Sequence, residues 1–346
     1  MSDHHAAHAA HVSVPAGPDT NGHVLTDQHL AHLHPGTIYK KGLHEVGDGC
    51  FAWLEPDGSW GWSNAGLITG DGVSILVDTL FDVPLTRNML DGMASITSTK
   101  PISTVFNTHS NGDHWFGNQL LADREIIASA KAAAEMPEAG PERLVALREL
   151  PGPTGDFARE IFGPFDWTDC TPALPTRTFD KQLDLQIGGV DVVLYELGPA
   201  HTNGDTVAWV PSTKTLYAGD LLFIGGTPII WAGPLSNWVA ACDFMLSLEP
   251  EFVVPGHGPV TDAGGIQVVR DYLTYVDTES RKRFEAGMSA EEAIQDIDLG
   301  DFGLLAEHGR IAQNVLSVFY ELDPETRRRD VLEVFAEIGR LEGFTG

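Results

Sequence analysis

The chain has 346 residues, of which 42% are hydrophobic and 20% charged, the composition of an ordinary globular protein. Its 49 acidic against 21 basic residues give a formal net charge of −28, which repels phosphate backbones and anionic lipid and so sets nucleic acid and membranes aside as partners. No apolar run approaches the ~18 residues needed to span a bilayer. Met1 to His8 carry neither a basic start nor an apolar segment, so a cytoplasmic location is expected. Three widely spaced cysteines, Cys50, Cys170 and Cys242, fit reduced thiols.

Residues 1–36 hold eight of the fourteen histidines among Ala, Gly and Pro, the composition of a loosely ordered arm. From Leu43 to Val77 the pattern is β. Cys50 to Leu54 precedes a turn at Pro56-Asp57-Gly58, and Ala65 to Thr69 and Val73 to Val77 flank Asp71-Gly72, a strong hairpin signal. A helix follows with Leu85, Met89, Leu90, Met93 and Ile96 on one face. Ile102 to Phe106 reads as a buried strand and Trp115 to Leu121 as a helix. Asn107-Thr108-His109-Ser110-Asn111-Gly112-Asp113-His114 therefore occupies a strand-to-helix loop, where sites usually sit. Residues 131–178 are rich in Pro, yet Phe157, Phe162, Phe165 and Trp167 are too apolar for a free linker. The expectation there is a helical, lid-like insertion packed over the site.

Three later segments repeat one design. Val192 to Leu197 runs into Gly198-Pro199-Ala200-His201, Leu216 to Ala218 into Gly219-Asp220, and Phe252 to Val254 into Pro255-Gly256-His257-Gly258. In a layered α/β sheet the carboxyl ends of strands converge on one crevice, so four such endings can build one site. Imidazole with carboxylate suits zinc, iron or manganese, and the lack of Cys in the clusters disfavours a purely structural zinc knot. After Gly265 the spacing is helical: Gln267 to Phe284, Ser289 to Gln295, Ile311 to Leu322, and a last helix opened by Pro324 and Glu325 and running through Leu341. These helices either cover the sheet or form a homodimer interface. The expected organisation is an arm at 1–36, a catalytic domain at 37–265 and a helical extension at 266–346.

As a set, His109-x-Asn111-x-Asp113-His114, His201, Asp220 and His257, with 87 residues from His114 to His201, 19 to Asp220 and 37 to His257, resembles the metallo-β-lactamase superfamily. The resemblance implies an α/β fold, the four-layer αββα sandwich. It also implies a first metal held by His109, residue 111 and His201, a second held by Asp113, His114 and His257, and Asp220 bridging them. The chain departs from the pattern at Asn111, where the family has a second His, and a carboxamide oxygen is a weaker zinc ligand than imidazole. Three readings stay open: a weakened first position, a single-metal enzyme at Asp113, His114, His257 and Asp220, or a metal other than zinc. Asn111-Gly112 also suits a tight turn on its own account.

A bound divalent metal lowers the pKa of its water from 15.7 to about 7 and polarises a carbonyl oxygen. Asp113 is the candidate catalytic residue, orienting that hydroxide and taking its proton. Asp205 and Asp78 are candidates to support the imidazoles from behind; the ordinary alternatives are a strand start and a helix cap. Trp60, Trp62, Trp115, Phe223 and Trp231 are expected to form an apolar pocket wall, and no Lys or Arg stands beside a ligand cluster in sequence. The function expected is hydrolysis of a small-molecule ester, thioester or lactone with an apolar or aromatic acyl group, in secondary metabolism, using one or two zinc ions. An iron-dependent oxygenase and a non-hydrolytic cyclase or binding protein are the alternatives.

Overall fold

The computed structural model describes residues 39–345, so the histidine-rich arm lies outside the described residues. Gly42–Gly47 (β1), Cys50–Leu54 (β2), Ala65–Thr69 (β3) and Ser74–Val77 (β4) form an antiparallel meander. The helix Val83–Thr97 (α1) crosses to Ile102–Phe106 (β5), and Glu125–Ser129 (β6) and Arg177–Phe179 (β7) continue the sheet in parallel. Between β6 and β7 come Ala130–Glu135 (α2), Pro141–Arg148 (α3) and Pro153–Phe162 (α4). Gln182–Ile187 (β8), Val190–Glu196 (β9), Thr206–Val210 (β10) and Thr215–Phe223 (β11) form a second, antiparallel sheet, completed by Phe252–His257 (β12) parallel to β11. Leu235–Ser247 (α5) precedes β12, and Ala263–Glu285 (α6), Ala290–Asp296 (α7), Ile311–Leu322 (α8) and Val331–Leu341 (α9) follow it.

Strand alternation makes four layers of this order. In β4, Ile75 and Val77 face the second sheet while Leu76 faces α1 beside Met89 and Met93. In β10, Ala208 and Val210 face the first sheet while Val207 and Trp209 join the core under α5 and α6. Successive side chains of a strand point to opposite faces, so a strand apolar at every position must be covered on both sides. The result is the αββα sandwich.

Three expected elements differ in detail. Residues 115–121 form no α-helix: a 3-10 turn at Gly112–His114 and another at Phe116–Leu121 meet at Trp115, whose extended φ of −149° breaks any continuous helix. The last helix starts at Val331, because Asp330 and Glu333 form a reciprocal capping box that supplies a stronger start than Pro324. The helix expected from Gln267 begins at Ala263, where Asp262 accepts from the Gly264 N–H. No helix among the described residues is long and apolar enough to cross a membrane.

Candidate functional site

Four chain segments bring their ligand-type residues to one end of the two sheets. His109, Asp113 and His114 come from the loop after β5, and His201 from the loop between β9 and β10. Asp220 lies inside β11 rather than beyond it, because Gly219, at φ +52°, shifts the register and lets the strand run on to Phe223. A side chain at 219 would strike Thr108, its Cβ coming within 2.7 Å of the Thr108 hydroxyl. His257 ends β12.

Two ligand groups result, His109 with His201 and Asp220, and Asp113 with His114 and His257. Asp220 joins them. Its Oδ1 is 3.0 Å from His114 Nε2, and its Oδ2 is 3.3 Å from His201 Nε2, 3.5 Å from His257 Nε2 and 3.7 Å from His109 Nε2. Asp113 Oδ2 stands 3.2 Å from His257 Nε2. Buried polar atoms normally have partners, yet among the described residues His109 Nε2, His114 Nε2 and Asp220 Oδ1 make no well-formed hydrogen bond, the last two facing each other at 3.0 Å. Ligand atoms turned toward one another and left unsatisfied are what a cation needs, so these residues fit a divalent metal pair.

The charge state fits as well. Burial holds the His109 and His201 imidazoles below their ordinary value, hence neutral. Burial alone would raise the Asp220 carboxyl, but His257, His114 and His109 outweigh it and keep it well below the carboxylate range. Burial opposes charge on His257 too, yet Asp220 and Asp113 push it up to about 9. Burial opposes charge on His114 as well, yet Asp220, Asp113 and Asp78 hold it well above its ordinary value, so the ionised carboxylates draw onto His114 and His257 the positive charge that a metal cation would replace.

Behind the ligands, three imidazoles are oriented by hydrogen bonds. His114 Nδ1 meets Asp78 Oδ2 at 2.9 Å, His109 Nδ1 meets the Thr108 hydroxyl at 3.0 Å, and His201 Nδ1 donates to the Ile229 carbonyl at 2.7 Å. Asp78, at φ +61°, also accepts from the Thr108 N–H and hydroxyl, tying two ligands to one carboxylate. Replacing Asp78 by Ala is expected to weaken metal binding by about 10–100-fold, the usual cost of losing such a partner, as read by competition against a chromophoric chelator. Among the described residues His257 Nδ1 has no such partner, and the Phe223 ring stacks on the imidazole instead, 5.1 Å away and 5° from parallel.

Asp205, expected behind His201, is elsewhere: it accepts from the Thr202 N–H and hydroxyl and pins the turn that carries His201. Desolvation pushes its carboxyl up to about 8 against those bonds. A carbonyl took the imidazole because the loop after β11 folds back over His201, which local spacing does not reveal.

The ligands open onto a cavity of about 320 Å³. Trp60, Phe223 and Trp231 line it as expected, while Trp115 and Trp62 do not. Trp115 is fully buried with its indole N–H on the Ser110 carbonyl, and Trp62 packs on Phe165. Beyond them, Leu144 and Leu147 of α3 and Leu332 and Phe335 of α9 complete the apolar wall. Asn111 also lines the cavity, its carboxamide nitrogen 3.0 Å from His201 Nε2. Arg143 and Arg310 line it too, cations that stand beside no ligand cluster in sequence and are brought to the cavity by the fold. Arg310 is remote in sequence; its one legible signal is a cation at the start of α8, the end where the helix dipole disfavours positive charge.

The family model of the metallo-beta-lactamase superfamily matches residues 58–257. Over 197 residues the chain is 27% identical to the 2,4-dinitroanisole O-demethylase subunit alpha of Nocardioides sp. (strain JS1661), covering 55% of this chain and 51% of that protein, so it spans about half of that relative. It is 23% identical over 204 residues to the metallo-beta-lactamase type 2 of Bacillus cereus, covering 58% of this chain and 68% of that one. Among solved structures, the sec-alkylsulfatase Pisa1 from Pseudomonas sp. superposes with a TM-score of 0.61 at 18% identity, covering 81% of this chain and 50% of that one. The metallo-beta-lactamase from Pontibacter korlensis superposes with a TM-score of 0.52 at 17% identity, covering 68% and 99%. At these identities the structures establish the shared fold. With the family match spanning all four segments that carry the candidate metal ligands and the fold alike, the chain belongs to the metallo-beta-lactamase superfamily.

Proposed function

We propose that the protein hydrolyses a carbonyl-type bond, an ester, thioester or lactone, in a small molecule with an apolar or aromatic acyl group. The observation that carries this reading is the make-up of the cavity lining. The candidate metal ligands Asp113, His201, Asp220 and His257 line it together with the apolar side chains of Trp60, Leu144, Leu147, Phe162, Trp231 and Phe335. A pocket with few convergent polar groups on an apolar wall orients a hydrophobic substrate toward its reacting bond.

His109, His201 and Asp220 would hold one divalent metal, and Asp113, His114 and His257 with Asp220 the other; zinc is the first choice by donor set, with iron and manganese next. When bound, such metals supply a nucleophilic water at neutral pH and polarise the substrate carbonyl. Asp113, kept ionised chiefly by His114 and His257 against its burial, orients the attacking water and accepts its proton. The apolar wall holds the acyl group and excludes bulk water. Water adds to the acyl carbon, the bond to oxygen or sulfur breaks, and a carboxylic acid and an alcohol or thiol leave.

The test is a series of 4-nitrophenyl esters with the zinc-loaded protein. Each further methylene buried in the cavity is worth about 0.8 kcal/mol, so kcat/KM should rise several-fold per methylene from acetate until the cavity is full. Absence of turnover across esters, thioesters and lactones would remove this reading. Leu144→Ala should flatten the chain-length preference while leaving metal per chain unchanged. Point substitution suits residues 131–178 better than shortening them, because Phe157, Ile161 and Phe162 of α4 belong to the main core.

A second reading has its own observation: the Nocardioides relative is named for O-demethylation of an aryl ether. Cleavage of an aryl methyl ether here would release methanol if hydrolytic. Formaldehyde formed with consumption of dioxygen by an iron-loaded protein would instead place the oxygenase reading first.

A further inference from the structure

Arg310 enters the cavity from outside the segment that the family model matches. It is 2% exposed, with its guanidinium 4.2 Å from the Trp60 ring centroid and 5.2 Å from that of Phe223. A methionine or leucine would pack such a wall without desolvating a cation, which costs several kcal/mol. Its countercharge is close: Arg310 Nη2 is 2.7 Å from Glu307 Oε2, and Glu307 is equally buried. Glu307 reaches this position through a left-handed backbone, φ +58°, which a non-glycine residue adopts only when the surroundings enforce it. The enforcing contacts are visible. Glu307 Oε1 accepts the Trp60 N–H at 3.2 Å, Arg310 Nη1 donates to the Thr227 carbonyl at 2.9 Å, and the Ala306 N–H donates to the Gly225 carbonyl at 3.0 Å. The segment before α8 is thereby stitched to the loop that follows β11.

The pair brings hydrogen-bond donors without net charge. A guanidinium offers five N–H donors in a fixed fork, and Arg310 Nε is a buried donor with no partner among the described residues. The other cavity arginine, Arg143, is likewise matched, 2.8 Å from Glu138. A full anion would therefore find on this wall only cations already paired with carboxylates, whereas a neutral acceptor oxygen could take one of the remaining N–H groups of a guanidinium packed against the Trp60 and Phe223 rings.

We propose that Arg310 is a specificity-determining residue that recognises a neutral acceptor group, a carbonyl, ester, nitro or sulfonyl oxygen, on the aromatic or apolar body of the substrate. This rests on the cavity being the substrate site, as in the function proposed above, and it does not depend on which bond is broken.

The experiment measures dissociation constants of acetophenone, cumene and benzoate for the zinc-loaded full-length protein by calorimetry. The first two share shape and differ in a carbonyl, and the third carries a full charge. A hydrogen bond to a charged donor is worth at least about tenfold in affinity, so Arg310→Met should weaken acetophenone about tenfold or more, leave cumene within twofold, and leave metal per chain unaltered. Glu307→Gln, which uncovers the guanidinium charge, should shift the preference toward benzoate. The inference is overturned if Arg310→Met keeps the acetophenone preference, or if benzoate is the probe that loses most. Should Arg310→Met not fold, Glu307→Gln decides alone: unchanged benzoate affinity refutes the recognition role. Ester turnover without an acetophenone preference sinks this inference and leaves the proposed function standing. A preference without ester turnover does the reverse.

Discussion

Asp220→Ala is expected to strip metal from both positions and reduce turnover to background. Among the described residues Asp220 alone faces imidazoles of both groups, its two oxygens lying between 3.0 and 3.7 Å from His114, His201, His257 and His109. Removing it leaves four buried imidazoles with one fewer anion to balance a divalent ion, so the loss should exceed the about 10–100-fold expected for a supporting residue such as Asp78. Elemental analysis after gel filtration reads the outcome directly, and circular dichroism checks that the sandwich persists. Asp220→Asn keeps the shape and discards the charge, so retention of two metals by that variant would refute the bridging role. Gly256→Ala gives an independent route to the same result without touching a ligand. A Cβ at 256 would fall 2.0 Å from Asp220 Oδ1 and 2.7 Å from the Gly219 carbonyl carbon, so the carboxylate must move. Metal loss in Gly256→Ala would show that the precise seating of Asp220, beyond its presence, sets affinity.

The clustering of the candidate ligands was legible because each sits where a short apolar run meets a glycine, and strand ends in a sheet converge whatever the loops between them do. His109, Asp113, His114, His201, Asp220 and His257 need only the order of the strands to be brought together. The sandwich was legible for a related reason: alternation in β4 and β10, with both sets of side chains apolar, has no solution but cover on both faces. What was hidden depends on loop direction. Trp115 neighbours a ligand in sequence yet turns inward, because the 3-10 turns around it point its indole at the Ser110 carbonyl instead of the cavity. Asp205 follows His201 at a plausible spacing, but the Thr202 N–H and hydroxyl are nearer claimants. Arg310 comes from a helix start 53 residues after His257, and only tertiary packing brings it under Trp60. Charge, hydrophobic period and glycine position speak about backbone; the cavity wall is decided by side chains meeting across long separations.

Asn111→His is expected to raise the affinity of the weaker metal position by more than about 100-fold. The argument begins at His201. Its Nδ1 faces the Ile229 carbonyl at 2.7 Å, and a carbonyl only accepts, so the proton is on Nδ1 and Nε2 is a bare lone pair. The Asn111 carboxamide nitrogen stands 3.0 Å from that lone pair and donates to it. A metal at the first position must displace this bond to reach His201 and then accept, at best, a neutral amide oxygen from Asn111. At the second position Asp113, His114, His257 and Asp220 converge with no amide donor among them and with Asp78 fixing His114, and what a metal displaces there is the proton that the carboxylates draw onto His114 and His257. The wild-type protein should therefore bind two equivalents of zinc with clearly unequal affinity, the tighter at Asp113, His114 and His257. An imidazole at 111 removes the competing donor and adds a strong ligand, which is worth more than the about 10–100-fold commanded by a partner that only supports a ligand. Asn111→Asp should move in the same direction, since it also exchanges the donor for an acceptor and adds charge. Titration against a chromophoric chelator resolves the two equivalents without reference to turnover. Equal affinities in the wild type, or an unmoved second equivalent in Asn111→His, would show that Asn111 already serves as a competent ligand. Unequal affinities would instead mean that at low zinc the enzyme works with one metal, and that His109 and His201 are held in reserve by a single amide hydrogen bond.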